Sequence, residues 1–472
     1  MTPDRAATPG APAAEAAAPP ATHRLPDFDE ALREAARIAV LSPSSHNCQP
    51  WAVAWARSAE SRAAAARLVD GEAEASGVPA PGGGRGDGTY QYLVLGLDRS
   101  RELRSLPAHA VEMLLSCGLY WQLLLRALEA LGWSADALHF AEGTLDAGTA
   151  RGAEPPGTAW PGSWTALCVA RLRRRDGEGA GAEARDGAGA GATTGAGAGA
   201  GTDAGAGAAT VPGAEAETHP ADRDGGAELR TLRAAARARR TNRAPYLTQP
   251  VRPALLDGLL APSGCAAARD ADVTVRHLTS GADRAAFADF VAAHGGRDFS
   301  HREAWRETHA YLRADRAEAT ACGDGFALDQ LFGPLSWPSR LALRAALAPA
   351  TMRLLGPVGY DRLVGRSLAR GLARMVRPTP VVVAMSFGRT EPTLADAVKG
   401  GARLADYWLC ATTAGLALHP VSVVLQHEDL RAAFQSSLRI PGRAFFVSRL
   451  GWPVTEFPPS PRRPADAHLR RI

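Results

Sequence analysis

The segment Ser42-Pro43-Ser44-Ser45-His46-Asn47-Cys48-Gln49-Pro50-Trp51 concentrates hydroxyl and carboxamide groups with no carboxylate or guanidinium among them. Uncharged donors and acceptors in that density suit the polar rim of a flat heterocycle such as a flavin. A capped helix end followed by a turn would use the same residue types. A second cluster, Arg239-Arg240-Thr241-Asn242-Arg243, closes a helix expected to begin near Glu228. Guanidinium groups grip phosphate bidentately and a hydroxyl adds a donor, so this run can hold a phosphate. It can also be a solvated basic face. Ser460-Pro461-Arg462-Arg463-Pro464 offers a further pair of guanidiniums near the C-terminus, or a basic tail. In Ala414-Gly415-Leu416-Ala417-Leu418-His419-Pro420-Val421-Ser422, His419 is a candidate acid, although a lone histidine beside a helix end is commonly structural.

Other chemistries fall away. Lys399 is the single lysine, so a Schiff base could form only there, and no G-x-x-x-x-G-K phosphate loop exists. The six cysteines are scattered, without a C-x-x-C pair or histidines at metal spacing, which predicts buried free thiols, a reducing cytoplasm and no metal site. A net charge of +4 gives no strongly basic surface for nucleic acid. The N-terminal stretch lacks the apolar core of a signal peptide. Met113–Leu125 is apolar but short for a membrane span, and it predicts a buried helix.

The elements that must position these groups follow from periodicity. Ala31, Leu32, Ala35, Ile38 and Ala39 mark an amphipathic helix before the Ser42–Trp51 segment, and Ala52-Val53-Ala54-Trp55 predicts a strand after it. Residues 1–24 and 174–228 are Ala/Gly/Pro-rich and predict a disordered tail and a disordered linker, since such stretches bury too little apolar surface to offset chain entropy. The ordered parts, 25–173 and 229–472, share a layout. Each runs from an apolar strand through a long helix to another strand: Tyr92–Leu97, Glu112–Leu131 and Trp164–Val169 in one, and Pro380–Met385, the Gly401 helix and Phe445–Leu450 in the other. Gly118 precedes Gly132 by 14 residues, and Gly401 precedes Gly415 by the same interval. Mid-helix glycine costs about 1 kcal/mol against alanine, so Gly118 and Gly401 predict two helices packed closely together.

The Ser42–Trp51 segment resembles the A-P-S-x-x-N-x-Q-P-W signature of nitroreductase-like flavoproteins, with only the leading alanine replaced, by Ser42. The resemblance implies that Pro43, Ser44, Ser45, Asn47 and Gln49 lie against FMN. On the same likeness, Arg239, Thr241 and Arg243 match an R-x-S-x-R motif for the FMN phosphate, with Thr in place of Ser, and Arg462 or Arg463 closes that site. The loop after Gly415 would present a backbone N–H to the flavin. Pro420 has none, so Val421, Ser422 or Val423 would supply it. Simple members of the family are dimers with two flavins held between subunits. Here the polar loop survives in the first half and the arginine motif in the second, while Ala261-Pro262-Ser263-Gly264-Cys265 keeps only a remnant of the loop. The pattern resembles the Acg-type fused branch, as do Ser116-Cys117-Gly118 and the terminal Pro-Arg-Arg-Pro. It implies an α+β tandem (pseudo-dimeric) fold with two mixed or antiparallel sheets flanked by helices, one FMN, and a monomer acting as an internal pseudo-dimer.

The activity so implied is an FMN-dependent NAD(P)H oxidoreductase reducing a small nitroaromatic, quinone-like or other acceptor. A flavin-storing protein, or a flavin-dependent dehydrogenase or oxidase of a biosynthetic intermediate, remains open. Residues 294–376 look like an inserted lid. Trp305, Phe326 and Trp337 there suit stacking of an aromatic acceptor. Arg362, Arg366, Arg370 and Arg374, spaced four apart, predict an amphipathic lid helix packed on the pocket with its arginines in water, rather than a membrane-surface helix.

Overall fold

The protein is described by a computed structural model covering residues 26–75, 90–143, 159–175, 220–261, 268, 271–333 and 335–472. The expected tail, most of the expected linker, and residues 262–265 of the loop remnant lie outside the described residues.

The first half contains α1 (Phe28–Ala39), β1 (Trp51–Ala56), α2 (Ala59–Ala75), β2 (Tyr90–Asp98), α3 (Pro107–Ala130), β3 (Trp133–Phe140) and β4 (Trp164–Arg174). The second opens with α4 (Pro220–Ala238), α5 (Pro253–Gly258), β5 (Val273–Leu278) and α6 (Gly281–His294). A helical insertion follows: α7 (Gly296–Phe299), α8 (Arg302–Ala310), β6 (Leu312–Arg313), α9 (Arg316–Cys322), β7 (Phe326–Ala327), α10 (Leu328–Phe332), α11 (Trp337–Leu347), α12 (Pro349–Leu355) and α13 (Tyr360–Val376). The half closes with β8 (Val381–Phe387), α14 (Leu394–Thr413), β9 (Ala417–Pro420), α15 (Glu428–Leu438), β10 (Arg443–Gly451) and β11 (Leu469–Arg471). Helix α4 starts at Pro220, earlier than the expected Glu228.

The sheets repeat one another. Strand order is β1-β2-β4-β3 in the first half and β5-β8-β10-β9 in the second, with all these pairs antiparallel. Each long helix sits between the second and last strands of its order, and each ends on a left-handed glycine, Gly132 (φ 87) or Gly415 (φ 74), where a side chain would be strained. The first sheet gains a fifth strand from the far end of the chain. Strand β11 pairs in parallel with β1, Val53 opposite Leu469, and the Ile472 carbonyl accepts from the Ser58 N–H (3.0 Å) and the Ser61 hydroxyl (2.9 Å).

Strands β1, β2, β4, β8 and β10 are buried on both faces, with side chains alternating between two cores. Trp51, Val53, Leu93, Leu95, Val381, Val383 and Met385 face a central core with α1, α3 and α14. Ala54 and Val94 face Ala65 and Val69 of α2, and Val382 and Ala384 face α6, α13 and α15. Helix α3 is long and apolar enough to cross a membrane by length and composition, but 89% of its most apolar window is buried inside the protein.

At the centre α3 and α14 meet backbone to backbone. A Cβ on Gly118 would lie 2.0 Å from the Val398 carbonyl oxygen, and one on Gly401 would lie 2.2 Å from that of Leu115. The expected close helix pair is therefore present. One turn along, Asp406, fully buried, accepts from Gln122 Nε2 (3.0 Å) and Arg126 Nη1 (3.1 Å) across the same interface. Replacing Gly118 by Val should force the helices apart and lower stability by about 1–3 kcal/mol or more. Chemical denaturation checks this, and an unchanged midpoint would contradict the contact.

Candidate active site

The polar loop between α1 and β1 has an unusual backbone. His46, Asn47 and Gln49 all adopt positive φ (49, 54 and 53°), a conformation that costs non-glycine residues energy and persists only where surroundings fix it. Those surroundings are visible. Asn47 Nδ2 donates to the Gly325 and Pro461 carbonyls (2.9 and 3.0 Å), and its Oδ1 accepts from Arg462 Nη1 (2.8 Å). Gln49 Nε2 donates to the Gly323 carbonyl (2.8 Å), and its Oε1 accepts from the Arg463 N–H (3.0 Å). Ser44 Oγ accepts from the Gln49 N–H (2.9 Å), closing the loop on itself. Trp51 is fully buried and stacks on Tyr120 of α3 at 5.0 Å.

Two adjoining compartments open beside this loop and share Pro43, Ser44, His46, Thr241 and Arg243. The larger, about 220 Å³, is walled by Leu115 and Leu119 of α3, Leu404 and Trp408 of α14, and Phe445, Phe446 and Val447 of β10, with Ser44, Ser45, Ser116, Ser422 and Glu112 among the lining groups. The smaller, about 80 Å³, is lined by Arg239, Arg240, Arg462, Asn47, Phe326, Gln330 and Ser460 as well as the shared residues. Both halves of the chain supply both compartments.

The small compartment is basic. Arg239 leaves α4 with its guanidinium over the Trp408 ring at 5.1 Å. It donates to the Leu41 carbonyl (3.2 Å), while its Nε and Nη1 are buried without a partner. Arg243 donates to the Gln330 carbonyl (3.3 Å). Arg462 donates to Asn47 and to backbone carbonyls, and its Nε is buried and unpartnered. Among the described residues none of the three has a carboxylate partner in an ion pair. Burial, with Arg462 and Arg240 nearby, holds Arg239 well below the usual guanidinium range. Burial lowers Arg243 to about 10, and burial with Arg240 lowers Arg462 to about 10. Three desolvated cations facing one small space form an anion site. The orphaned N–H groups and the size of the space fit a phosphate monoester. The apolar, aromatic-walled compartment beside it fits the flat ring of the same ligand.

Several expected residues lie elsewhere or act differently. Gln49 is fully buried and holds protein backbone, not the cavity. Arg463 points to His468 Nδ1 (3.5 Å), leaving Arg462 as the C-terminal arginine of the site. Arg240 lines the small compartment but directs Nε to the Phe457 carbonyl (3.2 Å) and Nη1 to the Arg239 carbonyl (2.8 Å). His419 is buried on β9, where its Nδ1 meets Arg449 Nη1 at 2.9 Å. Burial and the adjacent Arg243 and Arg449 hold its pKa well below the usual histidine range, and it lines neither compartment. The Val421 N–H donates to the Val447 carbonyl (2.8 Å), which leaves Ser422 as the loop residue lining the cavity. Of the expected substrate aromatics only Phe326 lines a compartment. Trp305 donates to the Leu347 carbonyl (2.7 Å) within the insertion, and Trp337 is on the surface. Helix α13 packs its Gly365, Ala369 and Ala373 face inward, against α6 and α7, rather than covering the pocket. Lys399 sits over the Phe140 ring at 4.9 Å. Cys48 is a buried thiol pushed up to about 12 by burial, but Cys322 is exposed.

The apolar walls of the cavity were not expected, nor were His46 and Glu112. His46 lines both compartments, with Nδ1 buried and unpartnered. It lay inside the quoted segment, at a position the resemblance leaves open. Glu112 projects from the start of α3 and accepts from Ser45 Oγ (2.5 Å) and Gln426 Nε2 (2.7 Å). A carboxylate heading an apolar helix was the available signal.

No family model matches the chain. Among the described residues the fold is α+β with two similar sheets, and residues from both parts of the chain line a basic cavity. The chain is 28% identical over 440 residues, 92% of each protein, to PigM of Serratia sp. (strain ATCC 39006), described as a probable NAD(P)H nitroreductase. Among solved structures, the FMN-dependent nitroreductase NfnB from Mycobacterium smegmatis in complex with NADPH is 15% identical, over 48% of this chain and 88% of that one, with a TM-score of 0.28. An FMN and NADPH-dependent NfnB from a strain named sphigopyxis sp. HMH is 19% identical, over 50% and 95%, with a TM-score of 0.30.

The buried histidines set a pH response. His46 and His468 are lowered to about 3, mainly by burial, and His419 is also held well below the usual histidine range. All three stay neutral in the fold but bind protons when unfolded below about pH 6.5. Their stability contribution is therefore complete above that pH and is lost as pH falls toward 3. Asp298, raised to about 7 by burial and Glu112, acts oppositely, losing its contribution as pH rises through 7. Three groups outweigh one, so the melting temperature should fall from about pH 6.5 to 5. His46→Gln should flatten that slope, and an unchanged slope would place His46 in water.

Proposed function

We propose that this chain is an FMN-dependent NAD(P)H oxidoreductase with one flavin site per chain, reducing a small flat acceptor such as a nitroaromatic or quinone-like molecule. The observation that carries the reading is the convergence of Arg239, Arg243 and Arg462, buried and without carboxylate partners, at one end of an aromatic-walled cavity. The likeness over 92% of each chain to a probable NAD(P)H nitroreductase supports it. FMN, when bound, supplies hydride transfer at its N5, and the protein supplies binding, orientation and electrostatics.

The residues divide the work. Arg239, Thr241, Arg243 and Arg462 would hold the phosphate, and the guanidiniums would regain the solvation that burial removes. Ser44, Ser45 and Ser422 offer hydroxyls along the polar rim, and Leu404, Trp408 and Phe446 offer flat apolar contact. Asn47 and Gln49 hold the loop rather than the ligand. Both halves contribute to one cavity, so a monomer would work as an internal pseudo-dimer of the Acg-type kind.

The purified protein should be yellow, with one FMN per chain, and NADPH should bleach it anaerobically. Two flavins per chain, or none after reconstitution, would overturn the single-site reading, and bound flavin that NADPH fails to reduce would overturn the oxidoreductase.

Arg239→Met, Arg243→Ala and Arg462→Ala should each weaken FMN binding by about 1.5–3 kcal/mol, the worth of a charged hydrogen bond, while Arg463→Ala does less. Arg239→Met should leave the apoprotein as stable or more so, because it removes a buried, uncompensated charge. Fluorescence titration and melting of the apoprotein separate the two effects. A destabilised variant with unchanged FMN affinity would make Arg239 structural.

A further inference from the structure

The insertion carries a surface that the cavity does not use. Among the described residues ten large hydrophobic side chains are exposed, and seven fall between Phe332 and Leu363. Trp337 (74% exposed) and Leu341 (55%) share a face of α11, one helical turn apart. Leu354 (73%) lies in the last turn of α12, Val358 (83%) follows in the next turn, and Leu363 (69%) lies in the first turn of α13. These helices are neighbours, with α12 packed on both α11 and α13. Soluble monomers rarely leave such side chains clustered, and a cluster of this kind marks an interaction surface.

Charge identifies the partner. Residues 335–374 contain seven arginines and a single carboxylate, Asp361, whose Oδ2 faces Arg302 at 3.5 Å. None of the seven arginines has an ion-pair partner among the described residues. Arg362, Arg366, Arg370 and Arg374 are exposed along α13, flanking a buried row, Gly365, Ala369 and Ala373, that fixes the helix on the protein. A second copy of this chain would bring arginine against arginine across a two-fold interface. A bilayer with anionic headgroups complements both features. Apolar tips and a tryptophan enter the headgroup boundary, and arginines meet phosphate.

We propose that α11–α13 dock the protein on an anionic membrane surface, peripherally and reversibly, by Trp337, Leu341, Leu354, Val358 and Leu363 together with the α13 arginines. This reverses the expectation that α13 is a lid with its arginines merely solvated.

The test is flotation of the full-length protein with phosphatidylcholine vesicles, with and without phosphatidylglycerol. Binding should need the anionic lipid and should fall as salt rises. The double variant Arg366→Glu/Arg370→Glu should lose roughly tenfold or more in binding, and Leu354→Ser/Val358→Ser should lose it as well. Arg67→Glu, in α2, should bind as the parent does. Circular dichroism shows that the variants are folded. Failure to float with anionic vesicles at low salt overturns the proposal, as does binding indifferent to both double variants. Concentration-dependent self-association abolished by Leu354→Ser/Val358→Ser would assign the patch to a second copy instead.

Discussion

The structure depends on two helices touching where neither has a side chain. Gly118 and Gly401 let α3 and α14 approach until a Cβ on either would overlap the other's carbonyl oxygens. That approach sets the distance between the two sheets, because both helices lie in the core between them. It also fixes where Leu115 and Leu119 face Leu404 and Trp408, the two sides of the larger compartment. A wider helix pair would widen the cavity and move Glu112 away from Gln426. Asp406, held by Gln122 and Arg126, then specifies the register of the pair, since a slip would strand a buried carboxylate.

The second constraint is electrostatic. Concentrating Arg239, Arg243 and Arg462 in one desolvated space is unfavourable without an anion, and the fold has to enforce it. Arg239 is carried by α4 and steadied on Trp408. Arg462 arrives on the segment between β10 and β11. Strand β11 is anchored in the opposite sheet, with the Ile472 carbonyl bound by Ser58 and Ser61. The last residues of the chain therefore hold a charge in place by pairing with a strand laid down near its beginning. Such strain at a binding site is common where stability is exchanged for affinity.

Much of this was legible in residue types. Paired mid-helix glycines at matching intervals announced the helix contact, because glycine there is costly unless a neighbour needs the space. Repeated strand–helix–strand order announced the two sheets, and guanidiniums flanking a hydroxyl announced the anion site. What was not legible came from distance in sequence. Nothing local to Leu469–Arg471 says that it pairs with β1, and nothing in Arg462-Arg463 says which of the two faces the cavity. The aromatics of 294–376 were read as substrate contacts from composition alone. Trp305 instead ties α8 to the end of α11, and Trp337 lies in solvent. Aromatic content reports apolar area without reporting which surface will use it.

The polar loop shows how a motif can be right in place and different in role. Its carboxamides looked like ligand contacts because they are uncharged and closely spaced. Asn47 and Gln49 instead bind the carbonyls of Gly323, Gly325 and Pro461 and meet Arg462 and the Arg463 N–H. Those bonds over-determine a backbone with three positive-φ residues, and in doing so they turn Ser44, Ser45 and His46 toward the cavity. The same bonds fasten the insertion, through Gly323 and Gly325, and the C-terminal segment, through Pro461 and Arg463, to a loop of the first half. Asp324, between those glycines, is paired with Arg101 and Arg313, and Arg101 in turn donates to the Cys48 carbonyl. Loop, insertion and C-terminus thus form one hydrogen-bonded knot. A change in any of the three reaches the cavity through the conformation of His46 and its neighbours, without a new contact to whatever the cavity holds.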